Sequence, residues 1–477
     1  MTDQKLSLVV SDTPPASNGN KAPVDFVELL HLTETGNATR LVERHGEDLL
    51  YVPLWKRWLA WDGMRFARDE TQEIVRRAQD TVLALYSEAQ ELPSQAEREA
   101  LVKHALRSES GKALREMIEI ARSRDGIATT PTRLDVDPDL FNCANGTIDL
   151  RTGELREHRR GDLLTKRSPV HYEPDAEAPM FHSFLRRIMD NSEEKIDFLQ
   201  RALGYTMTGN TGEEVCFIAY GRGRNGKSKF LGAVSHVLGD YAEHARPETF
   251  MARDRDKVAN DIAALVGARF VATVEVEEGH RLGEALVKQM TGGDLLTARF
   301  LYAEWFSFKP LFKIWMAANH KPGIRGTDEA IWERIRLIPF TVTIPLPERD
   351  TRLAGKLESE GPGILAWMVE GCLRWRHEGL APPIEVVEAT QGYRDEMDVL
   401  AHFIEDRCVV NADAQALAGE LYRAYVDWCG KAGERPLTQV RFGKALAERG
   451  FHPDRLPTVS RSRYWEGIGL REEESWT

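Results

Sequence analysis

The chain has 477 residues, 42% of them hydrophobic and 29% charged, with a formal net charge of −12; at roughly 100 to 200 residues per domain it has room for two to four domains. The negative balance excludes a basic nucleic-acid coat, so any contact with a polyanion must come from local positive surface. Cys143, Cys216, Cys372, Cys408 and Cys429 form no C-x-x-C pair, no apolar stretch approaches the roughly 20 residues that span a bilayer, and the N-terminus lacks a signal pattern, so the expectation is a soluble protein of a reducing cytosol, without zinc sites, disulfides or membrane contacts.

Residues 1 to 25, with Ser11, Pro14, Pro15, Ser17, Asn18, Gly19 and Asn20 clustered, read as a mobile tail. From 26 to 178 the composition is globular. Trp58 to Phe66 predicts a hairpin turning at Asp62-Gly63, and its tryptophans are read as packing residues in preference to base-stacking platforms. A Glu-, Arg- and Ala-rich helical stretch runs from about 69 to 125, its charge a solvated helix face. Asp135, Asp137 and Asp139 follow in a D-x-D pattern that can hold catalytic metals. A proline and the Asn145-Gly146 and Thr152-Gly153 turns surround them, so they are read as turn residues between short strands.

The most specific signal is Gly221-Arg222-Gly223-Arg224-Asn225-Gly226-Lys227-Ser228, the G-x-x-x-x-G-K-S phosphate loop. The apolar run Val215–Tyr220 before it predicts a buried strand, and Phe230, Leu231, Val234 and Leu238 recur at helical spacing up to Gly239. In that context the loop's N–H groups cradle phosphates in front of a helix N-terminus. Lys227 then reaches the β and γ phosphates of ATP, and the Ser228 hydroxyl ligates Mg²⁺. Downstream, Arg269 to Glu278 is an apolar strand ending in carboxylates. Glu275, with Glu277 as the alternate, is placed to polarise water or hold Mg²⁺. A further buried strand, Phe312 to Ala318, ends on Asn319, an amide suited to orienting water or sensing a γ phosphate. Arg334 and Arg336 precede an expected strand from Leu337 to Phe340, where a guanidinium can neutralise charge on a phosphoryl group of a neighbouring subunit.

After the break at Ala381-Pro382-Pro383, residues 391 to 477 read as a separate module. Leu421, Tyr425 and Trp428 mark one amphipathic helix, Thr438 to Gly450 a second, and Phe451 to Gly467 a ribbon. Helices followed by a ribbon predict a winged helix. Between Lys431 and Trp465 eight Lys/Arg face three Asp/Glu, a local excess that favours a DNA-facing surface over a protein-docking one. Arg441, Lys444, Arg461 and Arg463 are the candidate contacts.

Several runs together resemble the superfamily 3 helicases of the phage/plasmid primase-helicase and poxvirus-type branch: Glu275-Val276-Glu277-Glu278-Gly279, Lys288 to Asp294, Thr297-Ala298-Arg299, Ala318-Asn319-His320-Lys321-Pro322 and Arg334 to Phe340. Thr35 to Gly153 is similar to the domain that precedes the helicase in that family, and Tyr425 to Trp465 to its C-terminal domain. The resemblance implies an α/β fold with an AAA+-type P-loop NTPase core at 179–390, an α+β domain at 26–178 before it and a winged-helix DNA-binding domain at 391–477 after it. It assigns Glu275 to the acidic motif, Asn319 to the sensor, Arg334 to the arginine finger ahead of Arg336, and residues 293 to 309, with Arg299, Phe300, Tyr302, Trp305, Phe306 and Phe308, to a hairpin entering a ring channel. Its aromatic residues are read equally as a single-strand track and as packing.

The expected function is therefore an ATP-dependent DNA helicase for replication of a phage, prophage or plasmid in a bacterial host cytoplasm. Its expected partners are single-stranded and duplex DNA, further copies in a hexameric ring, and a separate primase, since the segment before the core leaves no room for a primase palm. The alternatives are an ATP-switched initiator or loader that binds DNA without unwinding, and a P-loop small-molecule kinase.

Overall fold

In the computed structural model, which describes residues 31–252, 259–276, 279–299, 305–324, 329–455 and 463–471, the chain forms two compact units: one reaches Asp62 and resumes over Phe66–Arg133, the other holds Gly63–Arg65 and everything from Leu134. The expected tail at 1–25 lies outside the described residues. This division falls inside the 26–178 span.

In the first unit, Thr33 caps α1 (Glu34–His45) by accepting from the Gly36 N–H at 3.2 Å, which satisfies one of the free donors of the first turn. A three-stranded antiparallel sheet follows, β1 (Leu49–Val52), β2 (Arg57–Trp61) and β3 (Phe66–Arg68). The β2–β3 pairing sets Trp61 opposite Phe66 around Gly63, whose φ of 96° suits glycine. Trp58 is buried against Tyr51, ring centroids 5.2 Å apart, a packing role. The charged stretch folds as α2 (Glu73–Glu91), α3 (Gln95–Ser108) and α4 (Gly111–Ala121). Ile74, Ala78, Val82, Leu114, Met117 and Ile118 close a core with α1 and the sheet.

The second unit opens with the antiparallel strands β4 (Leu140–Cys143), β5 (Gly146–Asp149) and β6 (Glu154–Arg156). The aspartates before them are turn residues: Asp137 accepts from the Asp139 N–H at 3.0 Å and pairs with Arg151, Asp139 pairs with Arg376, and Asp135 accepts from the Thr165 N–H at 2.8 Å. Among the described residues no group of three metal-ligating side chains occurs, and no helix is long and apolar enough to cross a membrane.

Next come α5 (Pro179–Ile188), α6 (Glu193–Met207), β7 (Cys216–Tyr220), α7 (Lys227–Leu238), β8 (Ala242–His244), α8 (Ala259–Ala263), β9 (Phe270–Val276) and α9 (Glu284–Thr291). A two-stranded ribbon, β10 (Leu296–Ala298) with β11 (Phe306–Phe308), precedes β12 (Lys313–Ala318), α10 (Glu329–Trp332) and β13 (Ile335–Pro339). The central sheet is parallel, in the order β13-β7-β12-β9-β8. Its central strands β7 and β12 are buried on both faces. Phe217, Ala219, Trp315 and Ala317 enter one core, and their neighbours Cys216, Ile218, Ile314 and Met316 enter the other, which is why they read as continuous apolar runs. β13 begins two residues earlier than expected, because the Cys216 N–H bonds the Arg334 carbonyl at 2.7 Å and extends the ladder. Arg336 is thus a strand residue.

The helices α11 (Leu353–Ser359), α12 (Gly361–Glu378) and α13 (Ile384–Glu396) follow. α6 and α12 cross closely: a Cβ at Gly204 would lie 2.0 Å from the Cys372 nitrogen, and one at Gly371 2.1 Å from the Gln200 oxygen. α13 covers the open edge of β13, where Thr390 Oγ1 accepts from the Leu337 N–H at 3.0 Å, so that edge offers no free backbone donor there. The chain ends in α14 (Val399–Arg407), β14 (Cys408–Leu417), α15 (Ala418–Ala432), α16 (Gln439–Glu448), β15 (His452–Arg455) and β16 (Arg463–Leu470). The last three strands form an antiparallel sheet in the order β14-β16-β15, over a core of Phe403, Leu421, Tyr425, Phe442, Leu446 and Trp465.

Candidate functional site

The loop between β7 and α7 is fixed by close backbone contacts. A Cβ at Gly221 would meet the Phe340 oxygen at 2.1 Å; Gly226, at φ 87°, leaves no room because a Cβ there would lie 2.5 Å from Ile188 Cγ2. Asn225 donates to the Phe340 oxygen at 3.0 Å, and the Arg224 carbonyl accepts from the Ile344 N–H at 2.9 Å. Arg224 holds φ 68° without being glycine, a strained conformation fixed by these neighbours. No side chain caps the α7 N-terminus, so its first-turn N–H groups can meet an anionic ligand. Ser228 is exposed beside them, as are Arg222, Gly223 and Arg224.

Lys227 is buried, 5% exposed, and its ammonium donates to the Gly221 carbonyl at 2.6 Å, Asn225 Oδ1 at 2.9 Å and Asn319 Oδ1 at 3.0 Å. All three acceptors are neutral. Burial without a carboxylate pulls the ammonium down to about 8. A cation held this way by neutral dipoles is suited to accept a phosphate as its counter-ion. Asn319 reaches it because β12 lies beside β7, with Ala318 opposite Tyr220.

β9 flanks β12 on its other side, and the pairing passes from Ala317↔Val274 to Ala318↔Val276. Glu275 is thus the extra residue of a bulge, next in the sheet to the strand end that carries Asn319. Bulges recur beside functional sites because they re-aim a side chain. Glu277 lies outside the described residues. The loop, Asn319 and the Glu275 backbone therefore gather at one end of the parallel sheet.

Arg334 sits at the opposite end. Five residues of β13, about 16 Å of strand, separate it from the level of the phosphate loop. Its guanidinium donates to the Ala330 carbonyl at 2.7 Å and pairs with Glu214, while its buried Nε–H finds no acceptor among the described residues. Sequence reading missed Glu214, 120 positions away with no motif to mark it. Arg336 donates to the Glu333 and Ile335 carbonyls at 2.6 and 3.0 Å, and burial lowers its pKa from the ordinary arginine value. It lines a cavity of about 290 Å³ with Trp332, Val386 and Arg394.

Two further surfaces carry the other sequence candidates. On the β10–β11 ribbon, exposed Arg299 lies over the Trp305 ring, 4.8 Å from its centroid, and Trp305 is itself 54% exposed. Phe306 and Phe308 are half-buried, their rings 6.1 Å apart. Phe300 and Tyr302 lie outside the described residues. In the C-terminal module, α16 buries Phe442, Ala445 and Leu446 and exposes Val440, Arg441 and Lys444 on its other side; Lys444 pairs with Glu448 at 3.6 Å. Arg463 is exposed at the start of β16, and Arg461 lies outside the described residues.

A family model described as D5 N terminal like matches residues 38–190, and one described as Poxvirus D5 protein-like matches residues 395–452. The chain is 27% identical to "Putative helicase L207/L206" of Acanthamoeba polyphaga mimivirus, over 69% of this chain and 36% of that protein. It is 26% identical to "Putative helicase 022R" of Frog virus 3, over 62% and 39%. The chain thus spans somewhat more than a third of the length of these curated relatives. Among solved structures, the C-terminal region of NrS-1 aligns with 92% of this chain and 100% of its own at 9% identity, with a TM-score of 0.47. A D5-like match thus lies on each side of the phosphate-loop core, and the viral relatives run through it, so the chain is similar to D5-like viral proteins named as helicases.

Proposed function

We propose that this chain is an ATP-dependent DNA helicase acting in replication of a phage, prophage or plasmid. The observation that carries the reading is the Lys227 ammonium, buried and held by Gly221, Asn225 and Asn319 at the end of a parallel sheet. The strand order β13-β7-β12-β9-β8 supports an AAA+-type core. Helix, strand, two helices and a final hairpin support a winged helix at the C-terminus, preceded by the ATPase core over 179–390 and an α+β region over 26–178.

In this reading the chain binds ATP with the residues 221–228. Lys227 takes the β and γ phosphates, Ser228 holds Mg²⁺, and the bound ion neutralises phosphate charge. One hydroxyl with phosphate oxygens suffices for Mg²⁺, which seldom takes an all-protein cage. Glu275 serves the water and the metal, and Asn319 orients the γ phosphate as Lys227 exchanges neutral acceptors for charged ones.

Arg334 is too far along β13 to reach its own chain's phosphates, so its finger role requires a neighbouring copy. That supports a ring, hexameric in this reading, with hydrolysis at subunit interfaces. The Arg299–Trp305 pair supports a single-strand track, where a ring stacks on bases and a cation meets phosphates. Arg441, Lys444, Arg461 and Arg463 serve duplex DNA, and a separate primase completes the partners. Names of the viral relatives favour this reading over a small-molecule kinase. ATP turnover with and without single-stranded DNA, with Lys227→Ala as the blank, tests it. Stimulation that vanishes in the variant supports the motor, whereas unstimulated turnover without strand displacement moves the chain to an initiator or loader.

A further inference from the structure

Asn319 and Lys321 lie two residues apart on the loop leaving β12 and bind in opposite directions. Asn319 accepts from Lys227 at the phosphate loop. The Lys321 ammonium, on a side chain only 13% exposed, lies 2.6 and 2.7 Å from the two carboxylate oxygens of Glu396, the last residue of α13. It also lies 5.0 Å from the ring centroid of Tyr220, which directly precedes Gly221, and 5.6 Å from that of Tyr393 on α13. The Tyr393 hydroxyl donates to the Pro322 carbonyl. The loop is thereby clasped to the end of α13.

Two residues beyond Glu396, Asp398 binds forward. It accepts from the Ala401 N–H at 2.9 Å, capping α14, and takes Arg449 at 2.5 and 2.6 Å through both oxygens. Arg449 directly follows α16, the helix that exposes Arg441 and Lys444. Glu396 therefore reaches back to the loop that touches Lys227, and Asp398 reaches forward to the helix of the basic surface.

Building on the proposed function, we infer that Lys321 and Glu396 are positioning residues that couple nucleotide state to DNA affinity, with Asp398 and Arg449 completing an ionic joint. When phosphate takes the Lys227 ammonium, Asn319 must re-orient, and Lys321 is two peptide units away. An ammonium bridging both oxygens of a carboxylate between two rings leaves few alternative geometries, so displacement of the loop carries the end of α13 with it. Coupling of this kind is reciprocal: ATP changes DNA affinity by the factor by which DNA changes ATP affinity.

The test is fluorescence anisotropy of a labelled hairpin duplex with the full chain, in ATPγS and in ADP. The parent is expected to show an affinity ratio of about fivefold or more between the two states. Lys321→Met and Glu396→Gln each bring that ratio near one while leaving basal ATP turnover within about twofold, and the exchanged pair Lys321→Glu with Glu396→Lys restores it. Single variants that keep the parental ratio overturn the inference, as does an exchanged pair that fails to restore it. A parent that hydrolyses ATP yet binds the hairpin equally in both states overturns the inference and leaves the proposed function standing. A parent without hydrolysis removes both.

Discussion

Lys227 Nζ lies 3.0 Å from Asn319 Oδ1, although 92 residues separate them. Both side chains meet through their polar ends at the same end of the parallel sheet, and the acceptor is neutral. Replacing it by a carboxylate changes the balance. Asn319→Asp gives Lys227 an ionic partner of nearly the same shape, which competes with phosphate for the ammonium. The expected result is ATP affinity lowered at least tenfold and turnover nearly lost, whereas Asn319→Ala lowers kcat more than it raises KM. Steady-state kinetics separate the two, and Lys227→Ala abolishes hydrolysis.

Burial places the Lys227 ammonium at about 8, below the ordinary lysine value, so between that pH and the ordinary range the folded chain binds fewer protons than the unfolded one. Stability therefore rises as pH climbs through this window, and the burial penalty is fully felt below it. Denaturant unfolding at pH 7 and 9.5 should show Lys227→Met more stable than the parent at the lower pH, with the advantage shrinking at the higher. Since phosphate favours the charged form, ATP binding at pH 8 takes up about half a proton, measurable by calorimetry in buffers of different ionisation enthalpy and absent in Lys227→Met.

Arg334 is paired with Glu214 and bonded to Ala330 within its own chain. In the ring reading, Arg334→Ala spares ATP binding and removes turnover, and mixing it with Lys227→Ala protomers restores activity at interfaces that combine an intact loop with an intact finger. Turnover of a dilute parent monomer at the full rate of the assembly would refute this.

Arg269 is 2% exposed and donates to the Leu140 and Met207 carbonyls, both at 2.7 Å, with Tyr241 stacked beneath it at 4.6 Å. Arg269→Met leaves two buried acceptors unsatisfied, at a cost of roughly 2 to 5 kcal/mol. Thermal unfolding checks it. A shift of only a degree or so would mean that water replaces the guanidinium.

At Gly226 both the positive φ and the 2.5 Å approach to Ile188 oppose any side chain. Gly226→Ala should weaken ATP binding more than tenfold while the far-ultraviolet circular dichroism stays that of the parent, since the strain is confined to the loop.

The local structure of this protein was legible in sequence. The glycines and Lys227 of the phosphate loop, the apolar runs of β7, β9 and β12, the Asp62-Gly63 turn and the helices of the C-terminal module each follow from short-range spacing and conformational preference, which a linear chain displays. The tertiary structure decided what spacing cannot encode. Strand order brings Asn319 to Lys227, and the ladder from Cys216 draws Arg336 into β13. Glu214 meets Arg334, and Glu396 meets Lys321, across gaps of 120 and 75 residues. Such pairings depend on which strands neighbour one another and which helix covers the sheet edge. Those are properties of the packed core as a whole, so no single segment carries them.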